Sequence, residues 1–155
     1  MWQAILEILK EKAAQGVDIR ILYDDFGCLG VIPNKYYKTL ATYGIKATVV
    51  NKVVPIFDIR MNNRDHRKIL VIDGEIAFTG GINIADEYIN EKIRFGKWRD
   101  NIISLEGDGV VALTNMFLLM WYISNNDKKE LKFLPYKAGE HIDIDNGYVQ
   151  PYFSF

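Results

Sequence analysis

The chain has 155 residues, 49% of them hydrophobic, and a formal net charge of −1 at pH 7. This length and composition indicate a globular domain with its own core and exclude a disordered or fibrous chain. The near-neutral charge excludes a general attraction to nucleic acid or anionic lipid, and a single cysteine, Cys28, excludes an internal disulfide.

The first part of the chain alternates helical and extended patterns. Apolar residues at helical spacing predict a first helix that Gly16 ends, and alternating apolar residues predict the strand after it. Asn34 is placed to cap the next helix, which Gly44 ends. The predicted elements are a helix over 2–15, a strand over 17–23, a loop over 24–33, a helix over 34–43, a strand over 45–50 and an irregular polar segment over 51–64.

The second part of the chain predicts a hairpin followed by one more strand and helix. The Asp73-Gly74 pair is a strong hairpin signal. The predicted elements are strands over 65–72 and 75–79, a helix from 83 to about 88, a charged loop over 91–99, a strand over 100–106, a helix over 107–126, a polar tail over 128–146 and a final strand over 147–155. The alternation of helices and strands predicts an α/β fold with a mixed sheet flanked by helices on both faces.

No segment of this sequence predicts a membrane span or a secretion signal. The most apolar stretch, residues 110–123, is too short to cross a bilayer. The start of the chain lacks a basic region followed by an apolar one. We place a domain at 1–127, and a tail with the final strand at 128–155.

A histidine and a lysine two residues apart carry the strongest chemical signal. In a strand, His66 and Lys68 project from the same face, about 6.6 Å apart along it. A neutral imidazole can attack phosphorus, and a fixed ammonium stabilises the charge on the phosphate oxygens. Asn83, which follows a flexible Gly80-Gly81 pair, can donate a hydrogen bond to the same phosphate. The alternatives are a packed strand histidine, a solvated lysine and a plain helix cap.

These residues lie in a long gapless pattern. Residues 62–69 read Asn-Asn-Arg-Asp-His-Arg-Lys-Ile, and residues 80–88 read Gly-Gly-Ile-Asn-Ile-Ala-Asp-Glu-Tyr. The pattern resembles the first HKD motif of the phospholipase D superfamily, and within it bacterial cardiolipin synthases. The flanking segments 16–25 and 98–100 agree with that resemblance, which covers roughly residues 1–123.

The resemblance implies a fold, a reaction and a set of site residues. It implies a phospholipase D-like half that lacks its opening strand, and a phosphohistidine intermediate on His66. The implied reaction transfers a phosphatidyl group from one phosphatidylglycerol to another, releases glycerol and needs neither metal nor cofactor. The implied site residues are His66, Lys68, Asp73, Gly81, Asn83 and Asp100, with His66, Lys68, Gly81 and Asn83 on the phosphate.

Three of these positions have competing interpretations. Asp73 belongs to the motif, but it lies an odd number of residues from His66, so hairpin formation explains it better than direct chemistry. Gly81 stands where many superfamily members have serine, which leaves a backbone N–H as donor. Asp100 is placed to orient the His66 ring, or else it is a surface aspartate paired with Arg99.

The other charged residues and the cysteine do not indicate a second functional site. Six basic residues flank the motif, and solvation explains most of them better than ligand binding does; they are Arg60, Arg64, Arg67, Arg94, Lys97 and Arg99. Cys28 has no nearby activating group and is interpreted as a packing residue. His141 and Cys28 have no ligand-spaced neighbours, so we expect no metal.

The resemblance also predicts what the site needs from elsewhere. Phosphoryl transfer requires a second group to protonate the leaving oxygen, and we expect a second HKD half or a two-fold dimer to supply it. The predicted partners are phosphatidylglycerol and, in a full-length enzyme, the bacterial membrane; this stretch alone is expected in solution, and nucleic acid is disfavoured. The rival hypotheses are a homodimeric single-HKD phosphodiesterase or nuclease, and an inactive half.

Overall fold

A computed structural model of the chain describes residues 1–25, 27–28, 30–50, 65–94, 96–125 and 151. The predictions for residues 51–64 and for the tail, including Arg60, Arg64, His141 and the domain boundary near 127, lie outside these residues. The described residues form two compact units. The first unit is Met1–His66 with Ile84–Trp98, and the second is Arg67–Asn83 with Arg99–Phe155.

The helices and strands follow the predicted order. They are helix α1 (Trp2–Ala14), strand β1 (Arg20–Asp24), helix α2 (Tyr36–Thr42), strand β2 (Lys46–Val50), strand β3 (Lys68–Ile72), strand β4 (Ile76–Gly80), a 3₁₀ helix (Asp86–Ile89), strand β5 (Ile102–Glu106) and helix α3 (Gly109–Asn125).

The end of α1 explains why β1 begins later than the alternation predicts. Gly16 adopts a positive φ of 90°. Its N–H donates to the Ala13 carbonyl, and the Val17 N–H donates to the Lys12 carbonyl, which is a Schellman motif. Val17 therefore serves the helix end, and the strand starts at Arg20.

Helix α2 is correctly predicted at its end and incorrectly at its start. Gly44 and Ile45 close the helix with a second Schellman pair, on Ala41 and Leu40. At the start the cap is Lys35, which adopts a left-handed φ of 61° and makes no side-chain cap bond. The predicted Asn34 cap is wrong, because the chain turns into the helix one residue later.

The first unit packs its two parallel strands against α1 and α2. Strand β1 pairs with β2 in parallel, with Arg20 opposite Lys46. Leu6 of α1 and Leu40 of α2 form a buried cluster with Tyr36 and Ile45. As the alternation predicts, Ile19, Ile21 and Tyr23 pack against this cluster from a single face.

The second unit is built on a hairpin. Strands β3 and β4 pair antiparallel, with Lys68 opposite Gly80 and Ile72 opposite Ile76. The turn contains Asp73 and Gly74, both with positive φ, and the Glu75 N–H donates to the Ile72 carbonyl. The predicted Asp73-Gly74 hairpin is confirmed, since these residue types adopt positive φ most readily. Strand β5 adds to the free side of β4.

Helix α3 covers one face of this three-stranded sheet. Its buried residues Val110, Leu113 and Met116 pack on Ala77, Ile69, Val71 and Leu105. The alternate residues of β3 therefore belong to the opposite face, where Leu70 and Ile72 are exposed. Four further apolar residues of α3 are partly buried: Phe117, Leu119, Met120 and Trp121.

The α/β class with parallel and antiparallel strands is confirmed, while the described strands lie in two small sheets, β1-β2 and β3-β4-β5. Within the described ranges, no helix combines the length and hydrophobicity needed to cross a bilayer.

Candidate active site

Lys68 marks one end of the three-stranded sheet. It is the first residue of β3 and lies directly opposite Gly80 of β4, which in turn lies opposite Ile102 of β5. Lys68 belongs to the face that α3 does not cover and is half-buried. The neighbouring Leu70 and Ile72 side chains on this face are exposed. The Lys68 ammonium therefore does not bear the full free-energy cost of burial in an apolar environment.

The Gly80-Gly81 pair is required by close approach and not by flexibility. Neither glycine has a positive φ. A Cβ on Gly81 would lie 2.6 Å from Oδ1 and 3.2 Å from Oδ2 of Asp100, and a Cβ on Gly80 would collide with the Asn101 carbonyl oxygen. The missing side chains let the β5 backbone and the Asp100 carboxylate approach the end of β4.

Asp100 is held at this end of the sheet by its own neighbour. Its Oδ1 accepts a hydrogen bond of 2.8 Å from the Asn101 backbone N–H. Residue 100 precedes β5 by two positions, so its carboxylate stands at the same end of the second unit as Lys68. The structure thus brings Lys68, Gly81 and Asp100 to one end of one sheet.

His66 lies just ahead of β3 and is exposed. The predicted strand over 65–72 is too long at its start, because β4 ends at Gly80 and offers no ladder partner to a residue before Lys68. The shared face of His66 and Lys68 was derived from strand geometry, so it does not follow from the observed β3. The role of His66, including its orientation by Asp100, stays a prediction.

Asn83 does not cap a helix. The helix after the glycine pair is a 3₁₀ turn whose N-cap is Ala85, with no side-chain cap bond. Asn83 is exposed and precedes that cap by two residues. The cap interpretation of Asn83 is therefore wrong, and the phosphate-donor role remains as a prediction.

Asp73 lies at the far end of β3 from Lys68. Asp73 follows Lys68 by five positions across β3, which is about 16 Å at the usual rise. Its φ of 54° places it in the turn itself. This location agrees with the turn-forming interpretation of Asp73, while its assignment to the catalytic motif rests on the resemblance.

The flanking basic residues that the structure describes are exposed, and the Cys28 thiol is partly buried. Arg67, Arg94, Lys97 and Arg99 are exposed, and Arg94 forms an ion pair with Glu87. Burial, with a smaller contribution from Asp24 and Asp25, raises the pKa of the Cys28 thiol, which disfavours the reactive thiolate. Among the described residues, no three His, Cys, Asp or Glu side chains are grouped as metal ligands.

Sequence reasoning missed a clamp between Asn90 and Trp98. The Asn90 side chain donates to the Trp98 carbonyl at 3.0 Å and accepts from the Trp98 N–H at 2.7 Å. The Trp98 ring meets the Tyr88 ring edge to face, with centroids 4.7 Å apart. The available signal was Asn90 itself, since asparagine is among the residues that tolerate the left-handed φ of 60° found there.

Comparison with known proteins identifies the family of the chain. A family model described as "Cardiolipin synthase, PLD-like domain" matches residues 2–106, a range that contains every candidate site residue. A cardiolipin synthase of Staphylococcus aureus is 42% identical over 145 residues, which is 94% of this chain and 28% of that protein.

Two further relatives show the same coverage. Cardiolipin synthase 2 of Staphylococcus epidermidis is 37% identical over 92% of this chain and 28% of its own length. A Streptococcus mutans protein named only as uncharacterized is 48% identical over 98% of this chain and 32% of its own length. The chain spans about a third of the relatives it matches, and it belongs to the cardiolipin synthase family with a phospholipase D-like domain.

Proposed function

We propose that the chain is one catalytic half of a phosphatidyltransferase that makes cardiolipin from two phosphatidylglycerol molecules. The observation that carries the proposal is the clustering of Lys68, Gly81 and Asp100 at one end of a sheet, with His66 two residues ahead of Lys68 in the chain. The names of the Staphylococcus relatives support the substrate class.

The proposed first step forms a covalent intermediate on His66. A ring nitrogen attacks the phosphorus of phosphatidylglycerol, the bond from phosphorus to the glycerol oxygen breaks, and glycerol leaves with one proton. Lys68 stabilises the negative charge on the non-bridging oxygens, and Asn83 with the Gly81 N–H donates to them. Asp100 holds the imidazole in the tautomer that attacks.

In the proposed second step a hydroxyl of another phosphatidylglycerol attacks the phosphohistidine. The bond from phosphorus to nitrogen breaks, the hydroxyl loses its proton, and cardiolipin forms while His66 is regenerated. Both steps need a proton-transfer group facing His66. We propose that a second HKD half, or a second copy of this chain related by a two-fold axis, supplies it.

A trapping experiment tests the assignment of His66. The chain is incubated with phosphatidylglycerol labelled in its phosphatidyl part, and acid-labile label on protein is located by mass spectrometry. We expect label on His66. The labelling rate should fall more than about 1,000-fold in His66→Asn, and it should fall strongly in Lys68→Gln. The matched control is Lys38→Gln, an exposed lysine of the first unit, which should label normally.

The contradicting results are equally specific. Labelling of His66→Asn at the wild-type level would show that His66 is not the nucleophile. Cleavage of a DNA strand without turnover of phosphatidylglycerol would favour the nuclease hypothesis. Solution mass and cardiolipin synthesis measured on one sample test the need for a second half. A strict monomer that makes cardiolipin efficiently would show that one histidine performs both proton transfer and attack.

A further inference from the structure

The loop from Asn90 to Trp98, here called the 90–98 loop, is tied at its base. The two hydrogen bonds between the Asn90 side chain and the Trp98 backbone close it. Additional backbone bonds run from the Glu91 and Lys92 N–H groups to the Asp86 carbonyl. The two ends of the loop, Asn90 and Trp98, are therefore held together.

Its outer part presents an isoleucine to solvent. Ile93 is 84% exposed, more than any other large hydrophobic side chain of the described ranges. Ile84 and Ile89, in the segment leading to the loop, are also exposed. A single exposed apolar side chain is ordinary, but several within ten residues indicate a surface that meets something apolar.

Cations flank that isoleucine. Residues 91–97 contain three cations and one carboxylate, a net charge of +2 in a chain whose overall charge is −1. The Arg94 guanidinium donates a hydrogen bond of 3.2 Å to the Glu87 carboxylate. Lys92 and Lys97 are exposed on either side of Ile93.

We propose that the 90–98 loop docks the chain on an anionic membrane surface. Ile93 enters the boundary between headgroups and acyl chains, while Lys92 and Lys97 bind lipid phosphates. An apolar side chain between lysines suits this interface, where one part of the contact is apolar and the other negatively charged. The inference rests on the proposed function for its biological setting, since phosphatidylglycerol lies in a bilayer.

Vesicle co-sedimentation tests the docking. The chain is mixed with phosphatidylcholine vesicles or with vesicles of equal parts phosphatidylcholine and phosphatidylglycerol. We expect at least tenfold tighter binding to the anionic vesicles, and a loss of about 25-fold in the double variant Lys92→Gln/Lys97→Gln, near fivefold for each lysine. Ile93→Ser should lose about tenfold.

Matched controls lie elsewhere in the first unit. Val31 is 78% exposed, so Val31→Ser removes a comparable apolar surface outside the loop and should change binding less than twofold. Lys35→Gln/Lys38→Gln removes two exposed lysines and should behave likewise. Thermal melting of every variant shows that the fold is retained.

A dye placed in the loop gives an independent measurement. In a Cys28→Ser background, an environment-sensitive dye on Ile93→Cys should shift to the blue with anionic vesicles, and the same dye on Val31→Cys should not. Equal binding to both vesicle types, or unchanged vesicle binding in the loop variants, would overturn the proposal. So would loop variants that weaken binding to DNA and leave vesicle binding unchanged. The double variant Lys92→Gln/Lys97→Gln should still acquire acid-labile label from phosphatidylglycerol dispersed in detergent, which separates failure of docking from failure of the proposed chemistry.

Discussion

The two units bury their sheets to different extents. In the first unit, α1 and α2 bury one face of the β1-β2 pair, and Thr48, Val49 and Val50 of β2 are all buried. In the second unit, α3 covers one face of the three-stranded sheet. The other face exposes Leu70 and Ile72 and carries Lys68.

The difference separates the packed face of the second unit from the face that carries Lys68. Burial of an ammonium in an apolar core costs more than most single contacts return, so a lysine is better accommodated on the exposed face than under α3. The second unit therefore takes its packing from the α3 side and leaves the Lys68 side open. At the end of the sheet, the Asn101 backbone and the Asp100 carboxylate occupy the space that side chains at Gly80 and Gly81 would fill.

Truncation of matched leucines should give the largest difference between the packed and exposed faces. Leu40 is 1% exposed and Leu113 is 4% exposed, whereas Leu70 is 55% exposed. We expect Leu40→Ala and Leu113→Ala each to lower the free energy of unfolding by about 3 kcal/mol, and Leu70→Ala by less than about 1 kcal/mol. Urea denaturation measures all three. An equal loss in Leu70→Ala would show that the Lys68 face is packed like the α3 face.

The two glycines should differ in what they lose. Gly80→Ala drives a Cβ into backbone, so we expect about 2 kcal/mol of destabilisation, while Gly81→Ala meets a carboxylate that can move and should cost about 1 kcal/mol. Gly81→Ala should also reduce His66 labelling, because Asp100 is displaced. The control is Gly27→Ala, whose nearest atom is 3.8 Å away. Unchanged labelling in Gly81→Ala would separate Asp100 from the reaction.

The smallest expected effect lies on the surface of the first unit. A hydrogen bond from Lys46, followed by one from Arg20, lowers the pKa of Asp18; the two ion pairs are 2.8 and 2.9 Å long. Since the Asp18 side chain is about half exposed, solvent screening limits the gain to about 0.5 kcal/mol.

The sign of the pH dependence follows from the lowered pKa. The stabilisation is present above the unfolded pKa of about 3.9 and is lost as the pH falls through the lower folded pKa. Asp18→Asn should therefore be less stable than wild type at pH 7, with the difference fading below about pH 4. Denaturation of Asp18→Asn, Lys46→Gln and the double variant gives the coupling, and a difference that grows with acid would contradict this account.

Local residue chemistry determined much of the fold. Apolar spacing predicted α1, Gly16 and Gly44 predicted the two helix ends, and Asp73-Gly74 predicted the hairpin. Each of these depends on neighbours in sequence, such as a positive φ that glycine adopts without strain. The family likewise followed from a long gapless motif, and the match over residues 2–106 confirms it.

The errors occurred where distant partners decide. The start of β3 depends on how far β4 extends, so strand alternation alone placed it too early and brought His66 into the ladder. The Asn34 and Asn83 caps were wrong because the path of the chain into each helix is set by tertiary packing. The sequence also suggested flexibility for Gly80-Gly81.

Only the folded chain showed that Asn101 and Asp100 occupy the space that side chains at Gly80 and Gly81 would fill. The Asn90 clamp on Trp98 likewise joins residues eight apart. Sequence by itself determined the element order, the hairpin and the family, because these are encoded by local conformational preference and motif. Tertiary structure alone decided where strands stop, which sheet face stays open and why glycines are needed, because each of these is set by atoms from other segments.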